Sequence, residues 1–279
     1  MAYKSLLTVL TDIKIADAPL SQMVALARSW DAHAEALCLG VDRTQTGYYY
    51  AGANAMILQE TLARATSEAA EVLEYARGAL GKADIRWSAE DGVAQIADLG
   101  RHVAHRARFS DLVVLPRPYG PNRGAEVEPI VEAALFEGRA PVLVVPDEHE
   151  AKSQPRTIIV GWNESVEALT AIRQALPFLM AADAVRIVVI DPPQHGPDRS
   201  DPGGLLSQML ARHGVRCEID VLGKTMTRVS DILNRHVTDT AADMIVMGAY
   251  GHSRFREAIL GGATRNMLER AEVPVFMAH

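Results

Sequence analysis

The residues best equipped for chemistry lie near the end of the chain, in Gly248-Ala-Tyr-Gly251-His252-Ser-Arg254-Phe-Arg256-Glu-Ala-Ile-Leu-Gly261-Gly262-Ala-Thr264. Glycines accept positive φ and carry no Cβ, so a loop built on them can bring backbone N–H groups close against a ligand. Gly261 and Gly262 stand just before a helical pattern at Arg265 to Ala271. The unpaired amides and positive dipole of a helix start favour an anion there. Thr264 adds a hydroxyl, His252 an imidazole that could meet a phosphate, and Arg254, Arg256 and Arg265 positive charge. Together they could hold a di- or triphosphate. The same residues also read as turn punctuation with arginines on a solvated face, because short glycine motifs recur by chance.

Elsewhere the chemical signal is thin. No Ser/His/Asp or Cys/His pattern and no carboxylate pair is spaced for acid–base work, so no catalytic residue is assigned. His102 and His105 share one face of an expected helix at a spacing a metal could use, but without a nearby Cys or carboxylate pattern they read as surface histidines, and no metal site is expected. Two cysteines, Cys38 and Cys217, are too few for a disulfide scaffold and read as buried apolar residues. Tyr48-Tyr49-Tyr50 reads first as a loop packed on its own domain, with a crevice cover or partner surface as the alternative.

The elements that position the glycine loop are legible because the chain repeats itself. Asp111-Leu-Val-Val-Leu115 answers to Asp243-Met-Ile-Val-Met247, Pro141-Val-Leu-Val-Val145 to Pro274-Val-Phe-Met-Ala278, and Ser5 to Leu10 to Thr157 to Trp162. Arg-His-Val recurs at Arg101 and Arg235, ahead of the first pair. The join is polar and bounded by Pro146 and Pro155, giving expected domains at 1–148 and 154–279. Apolar β-rich runs alternate with helical stretches, the pattern of βαβ units and a parallel sheet. Strands are expected near 5–10, 34–41, 84–88, 111–115 and 141–145, then 157–162, 185–190, 215–221, 243–247 and 273–278. Helices are expected near 18–32, 54–80, 92–107 and 127–138, then from Glu164 to Met180 and near 203–213. Each copy is therefore an α/β domain, a doubly wound five-stranded parallel sheet in three α/β/α layers, with ligands expected beyond the carboxyl ends of its strands. The glycine loop follows the fourth strand of copy two, so it is not the dinucleotide fingerprint, and it lacks the Gly-Lys-Ser/Thr of a P-loop.

The loop, the five-strand pattern and the terminal Val273-Pro-Val-Phe-Met277 resemble the universal stress protein family, whose ATP-binding members carry G-x2-G-x9-G-(S/T). The whole chain resembles its tandem form. Gly248, Gly251 and Gly261 match the motif, while Gly262 departs from it where the family has Ser or Thr. Thr264 occupies the place of a second hydroxyl residue. The resemblance implies an adenine nucleotide alpha hydrolase-like fold and a site for ATP, AMP or ADP, with Mg2+ held by the phosphates. It nominates Asn163 at the end of the first strand, where the family has Asp near ribose and adenine, and Val189 at the end of the second, where backbone meets adenine. Asn163 equally suits a helix N-cap, with Ser165 as competitor. The resemblance further implies that the two copies' final strands pair edge to edge within the chain, a homo-oligomer being an additional option, and that the protein is a stress or signalling factor. A weak ATP hydrolase and a nucleotide-free scaffold are the alternatives.

Copy one has lost the loop. Pro116-Arg117-Pro-Tyr-Gly120-Pro-Asn-Arg123-Gly124-Ala-Glu126-Val-Glu128 keeps two glycines at the wrong spacing, and its prolines lack N–H donors. Glu126 and Glu128 already supply the negative charge a helix start favours, and Thr11 stands where copy two has Asn163. The composition agrees. Of 279 residues, 48% are hydrophobic and 23% charged, which is globular and excludes disorder. The net charge of −7 argues against nucleic acid and anionic membranes. Residues 1–150 carry 14 Lys and Arg against 21 Asp and Glu, and residues 151–279 carry 14 against 14, so the surplus acid lies in the copy with the broken loop. No apolar run approaches the ~18 residues of a membrane span, and a cytoplasmic protein is expected.

Overall fold

A computed structural model describes residues 2–43, 54–192, 201–249 and 262–279, and the chain divides into two compact units, 3–140 and 141–279. In the first, β1 (Ser5–Leu10), β2 (His33–Asp42), β3 (Arg86–Gln95) and β4 (Leu112–Pro116) alternate with α1 (Asp17–Trp30), α2 (Asn54–Leu80) and α3 (Leu99–Ala107). After β4 comes α4 (Val127–Glu132), which runs into a π-helical turn, Ala133–Glu137. The strands are parallel in the order β3-β2-β1-β4. β4 is buried along its whole length, as a strand covered on both faces must be.

One expectation in this unit fails. The helical stretch anticipated from residue 92 begins only at Leu99, because β3 continues to Gln95. All ten residues of β3 pair in register with β2, from His33↔Arg86 to Asp42↔Gln95. Ladder hydrogen bonds along a long partner strand override the local helical pattern of 92–95.

The second unit holds β5 (Val142–Val145), β6 (Thr157–Trp162), α5 (Val166–Gln174), α6 (Leu176–Ala181), β7 (Ala184–Ile190), α7 (Gly204–Arg212), β8 (Cys217–Leu222), α8 (Val229–Thr240), β9 (Met244–Gly248), α9 (Ala263–Arg270) and β10 (Val275–Ala278). The strand order is β5-β10-β9-β6-β7-β8. Five strands are parallel, and β5 joins antiparallel through Val275↔Val144, Phe276↔Leu143 and Met277↔Val142. Thus β5, the last strand of the first repeat in sequence, lies against the last strand of the second. Helices cover both faces: Cys217 of β8 meets Ser207 of α7 at 3.6 Å, while Asp220, of opposite parity on the same strand, meets His236 of α8 at 2.8 Å.

The helix expected from Glu164 to Met180 is two helices. Glu164 takes a left-handed φ of 63°, and Ser165 is the N-cap, its Oγ accepting from the N–H of Ala168 at 3.1 Å, a cap of about 1 kcal/mol. The break falls at Ala175, just before Pro177, which has no N–H to continue the ladder. α6 then seats Phe178 edge-on against Phe276 of β10 with ring centroids 5.9 Å apart, both fully buried. Such a pair adds about 0.5–1.5 kcal/mol beyond its buried area.

Candidate functional site

In the second unit the chain leaves β6 toward β7 on one side and leaves β9 toward β10 on the other, so the strand order reverses between β6 and β9. Open α/β sheets bind ligands outside the carboxyl ends of the strands at such a point. Trp162, the last residue of β6, pairs with Val189 of β7, and Gly248 ends β9 two residues past the β6–β9 pair Val160↔Val246. Asn163, Val189 and Gly248 therefore gather at one edge of three adjacent strands.

Gly248 is required by packing. A Cβ there would lie 2.5 Å from the backbone N of Ala168 and 2.7 Å from the carbonyl carbon of Glu167, in the first turn of α5. Its bareness lets the start of α5 close onto the end of β9. Ala249, fully buried, follows. Its N–H donates to the Ala278 carbonyl at 2.9 Å, and its own carbonyl accepts from Nδ1 of His279 at 3.0 Å. The first residues of the glycine loop are thereby pinned to the end of β10, a role for His279 that only tertiary contact reveals.

On the far side of the loop, Gly262 stands at the N-cap of α9 and offers no side chain, so no side-chain cap bond closes that helix. Thr264, 3% exposed, lies in the first turn, and Asn266, 7% exposed, donates its backbone N–H to the Gly262 carbonyl at 3.1 Å. The positive dipole of a helix start favours an anion. Gly251, His252 and Gly261 lie outside the described residues, as do Arg254, Arg256 and Tyr48 to Tyr50.

Asn163 is not the N-cap. It is exposed, and its Oδ1 accepts from the N–H of Ser165 at 3.2 Å, an Asx turn that sets up the Ser165 cap. Val189 is 7% exposed, and a Cβ built on Gly203, next to the start of α7, would lie 3.6 Å from its Cγ2. The side chain is thus roofed by the chain entering α7. Asp191, just past β7, adopts φ 50° and is exposed at the same edge.

The other candidates separate from this edge. His102 and His105 are exposed on α3, where His105 meets Phe109 edge-on at 6.2 Å. Among the described residues, no group of His, Cys, Asp and Glu that could hold a metal is gathered. Burial, reinforced by Asp91, pushes the Cys38 thiol up to about 12, which leaves it an inert core residue. Cys217 is only half-buried, contrary to the sequence reading, because β8 is an edge strand.

In the first unit the corresponding places are filled by the chain itself. Thr11 is buried, and Asp12 caps a 3-10 turn by accepting from the N–H of Lys14 at 2.9 Å. Glu126, 1% exposed, stands at the N-cap of α4 and pairs with Arg43 from just past β2. This contact spans 83 residues of sequence.

A doubly wound α/β domain with a glycine loop at its switch point defines a class of ligand-binding folds. Residues 155–279 match the universal stress protein family. A universal stress protein of Synechocystis is 24% identical over 154 residues, which are 55% of this chain and 50% of that protein, so the chain spans about half the length of the curated relative it matches. Among solved structures, a universal stress protein from Archaeoglobus fulgidus superposes with a TM-score of 0.71 at 14% identity, over 97% of this chain and 95% of that one. A functionally unknown protein from Pseudomonas aeruginosa PAO1 gives 0.60 at 13% identity, over 99% and 92%. At these identities the likeness is one of fold. Among the described residues no helix is long and apolar enough to cross a membrane.

Proposed function

We propose that this chain is a tandem universal stress protein, cytoplasmic, whose second repeat, residues 154–279, binds an adenine nucleotide and whose first, residues 1–148, is a degenerate partner. The ligand of choice is ATP, with Mg2+ carried by its phosphates, and the protein acts as a nucleotide-responsive stress or signalling factor, not as a metabolic enzyme. The observation that carries this reading is the pairing of motif with geometry. The spacing Gly248-x2-Gly251-x9-Gly261 starts at the end of β9, at the strand switch point, and leads into the N-terminus of α9, whose N-cap Gly262 carries no side chain. Gly251, His252, Gly261, Gly262 and Thr264 would surround the phosphates. Asn163 would reach the ribose or adenine through the free part of its amide, and the backbone at Val189 would meet the base.

The test is calorimetric titration of ATP with Mg2+ into the wild-type chain and into Gly261→Asp. The wild type binds one nucleotide per chain. The added carboxylate repels the phosphates and abolishes binding, while far-UV circular dichroism stays unchanged. Equal binding by the variant would overturn the site, and a wild type that binds no nucleotide would favour an interaction scaffold.

A further inference from the structure

We propose that Glu126 is a tethered internal anion that fills, in the first repeat, the position a ligand phosphate takes in the second, and that Arg43 is the anion-binding residue it satisfies. The inference rests on the nucleotide reading of the second repeat for the comparison, but on the first repeat's own geometry for the site. Glu126 precedes α4 as Gly262 precedes α9, each at the N-cap of the helix that follows the fourth strand of its repeat. Where the second repeat has Gly262 with no side chain, Glu126 places a carboxylate that is 2% exposed at the side chain.

Two contacts show how that carboxylate is held. It takes one whole edge of the Arg43 guanidinium, Nη2 to Oε1 at 2.5 Å and Nε to Oε2 at 3.3 Å, the side-on grip with which arginine holds carboxylates and phosphates. It also folds back over Gly124, where a Cβ would lie 2.2 Å from Oε2, so the loop supplies a bare backbone seat for the anion. The other side of the guanidinium is separately engaged, Nη1 meeting Oε2 of Glu68 on α2 at 3.2 Å, with Glu68 in turn paired to Arg64 at 3.0 Å. Removing Glu126 therefore frees one edge of Arg43 and leaves the other anchored. The Arg43 side chain is 44% exposed.

Glu128, the second acidic residue of this loop, does not compete for Arg43, since it accepts from the Tyr119 hydroxyl at 2.6 Å. The first repeat thus carries a permanent occupant and does not answer to nucleotide concentration, which leaves the second as the responsive half. A freed site is suited to a compact phosphate-type anion, because Pro116, Pro118 and Pro121 remove the backbone donors that a whole nucleotide would need.

The experiment titrates inorganic pyrophosphate into the wild type, Glu126→Ala, Glu126→Gln and the double variant Arg43→Ala/Glu126→Ala, following heat of binding and thermal midpoint. Glu126→Ala should gain one pyrophosphate site per chain over the wild type, and the double variant should bind there at least tenfold more weakly. Glu126→Gln keeps the side-chain volume and removes the charge, so it reports on the site even if the alanine variant is poorly folded, and it too should gain affinity. If neither single variant takes up more pyrophosphate than the wild type, or if the gain persists without Arg43, the proposal is overturned. The second repeat is identical in all four proteins. Failure of the wild type to bind ATP would thus count against the nucleotide site without touching this gain.

Discussion

Oδ2 of Asp243 accepts a hydrogen bond from the backbone N–H of Thr157 at 3.0 Å, joining the entrance of β9 to the first residue of β6 across 86 positions of sequence. The same oxygen accepts from the N–H of Arg156 at 2.8 Å, and the Asp243 N–H donates to the Thr157 carbonyl at 2.8 Å. Asp111 repeats the arrangement in the first unit, accepting from Lys4 at 2.6 Å and Ser5 at 3.0 Å and donating to the Ser5 carbonyl at 2.9 Å. The two copies thus share a side-chain clamp that sets the register of strands one and four, and with it the level at which Gly248 meets Trp162.

From this clamp follows a pH-dependent contribution to stability. Burial pushes the Asp243 carboxyl up, but the Lys152 ammonium and the N–H groups of Thr157 and Arg156 outweigh it and hold the group below the usual carboxylate range. A carboxyl depressed in the folded chain contributes fully above its unfolded value and loses that contribution as pH falls through the folded one. Asp243→Asn should therefore cost about 1–3 kcal/mol at neutral pH. The gap between variant and wild type should narrow as pH drops below about 4. Urea unfolding at pH 7 and pH 3 checks this, and a gap that stays constant between them would remove the carboxylate from the account.

Gly248 gives a second expectation, separable from ligand chemistry. Because its bare Cα accommodates the backbone of α5 at Ala168, Gly248→Ala forces that helix start away from β9. Overpacking of this kind costs about 1–3 kcal/mol. The melting temperature should fall with no nucleotide present, and ATP affinity should fall with it. A variant with unchanged melting would show that the first motif glycine is not held by packing.

Most strand bounds were legible because buried parallel strands are written as apolar runs. Thr157 to Trp162 coincides with β6, and Asp111 and Asp243 already marked the paired fourth strands. The helix bounds were less so, since the Ser165 cap and the Pro177 break act over a single turn within one apolar-periodic stretch, and β3 was lengthened by a partner strand. At the site, sequence placed Gly248 and Gly262 but gave a partial reason for each. The demand at Gly248 comes from α5, 80 residues earlier at Ala168, as the numbering shows. Glu126 could be read as negative charge at a helix start, whereas its partner Arg43, far away in sequence and unremarkable in its surroundings, carried no signal at all.

The departure of position 262 from the family motif yields the last expectation. Gly262 stands at the N-cap of α9 without a side chain, so the position lacks the hydroxyl that Ser or Thr would aim toward a phosphate. Gly262→Ser restores that hydroxyl at an N-cap position. Gly and Ser differ there by only a few tenths of a kcal/mol in helix stability, so the melting temperature should barely move. A new hydrogen bond to a charged phosphate oxygen is worth about 1.5–3 kcal/mol, or roughly tenfold or more in affinity. Calorimetry on the wild type and Gly262→Ser, with AMP and ATP compared, separates the two effects. A gain confined to ATP places position 262 against the outer phosphates, and an equal gain for AMP places it at the first. No gain with either would mean that Thr264 already supplies the hydroxyl and that the bare cap is no defect.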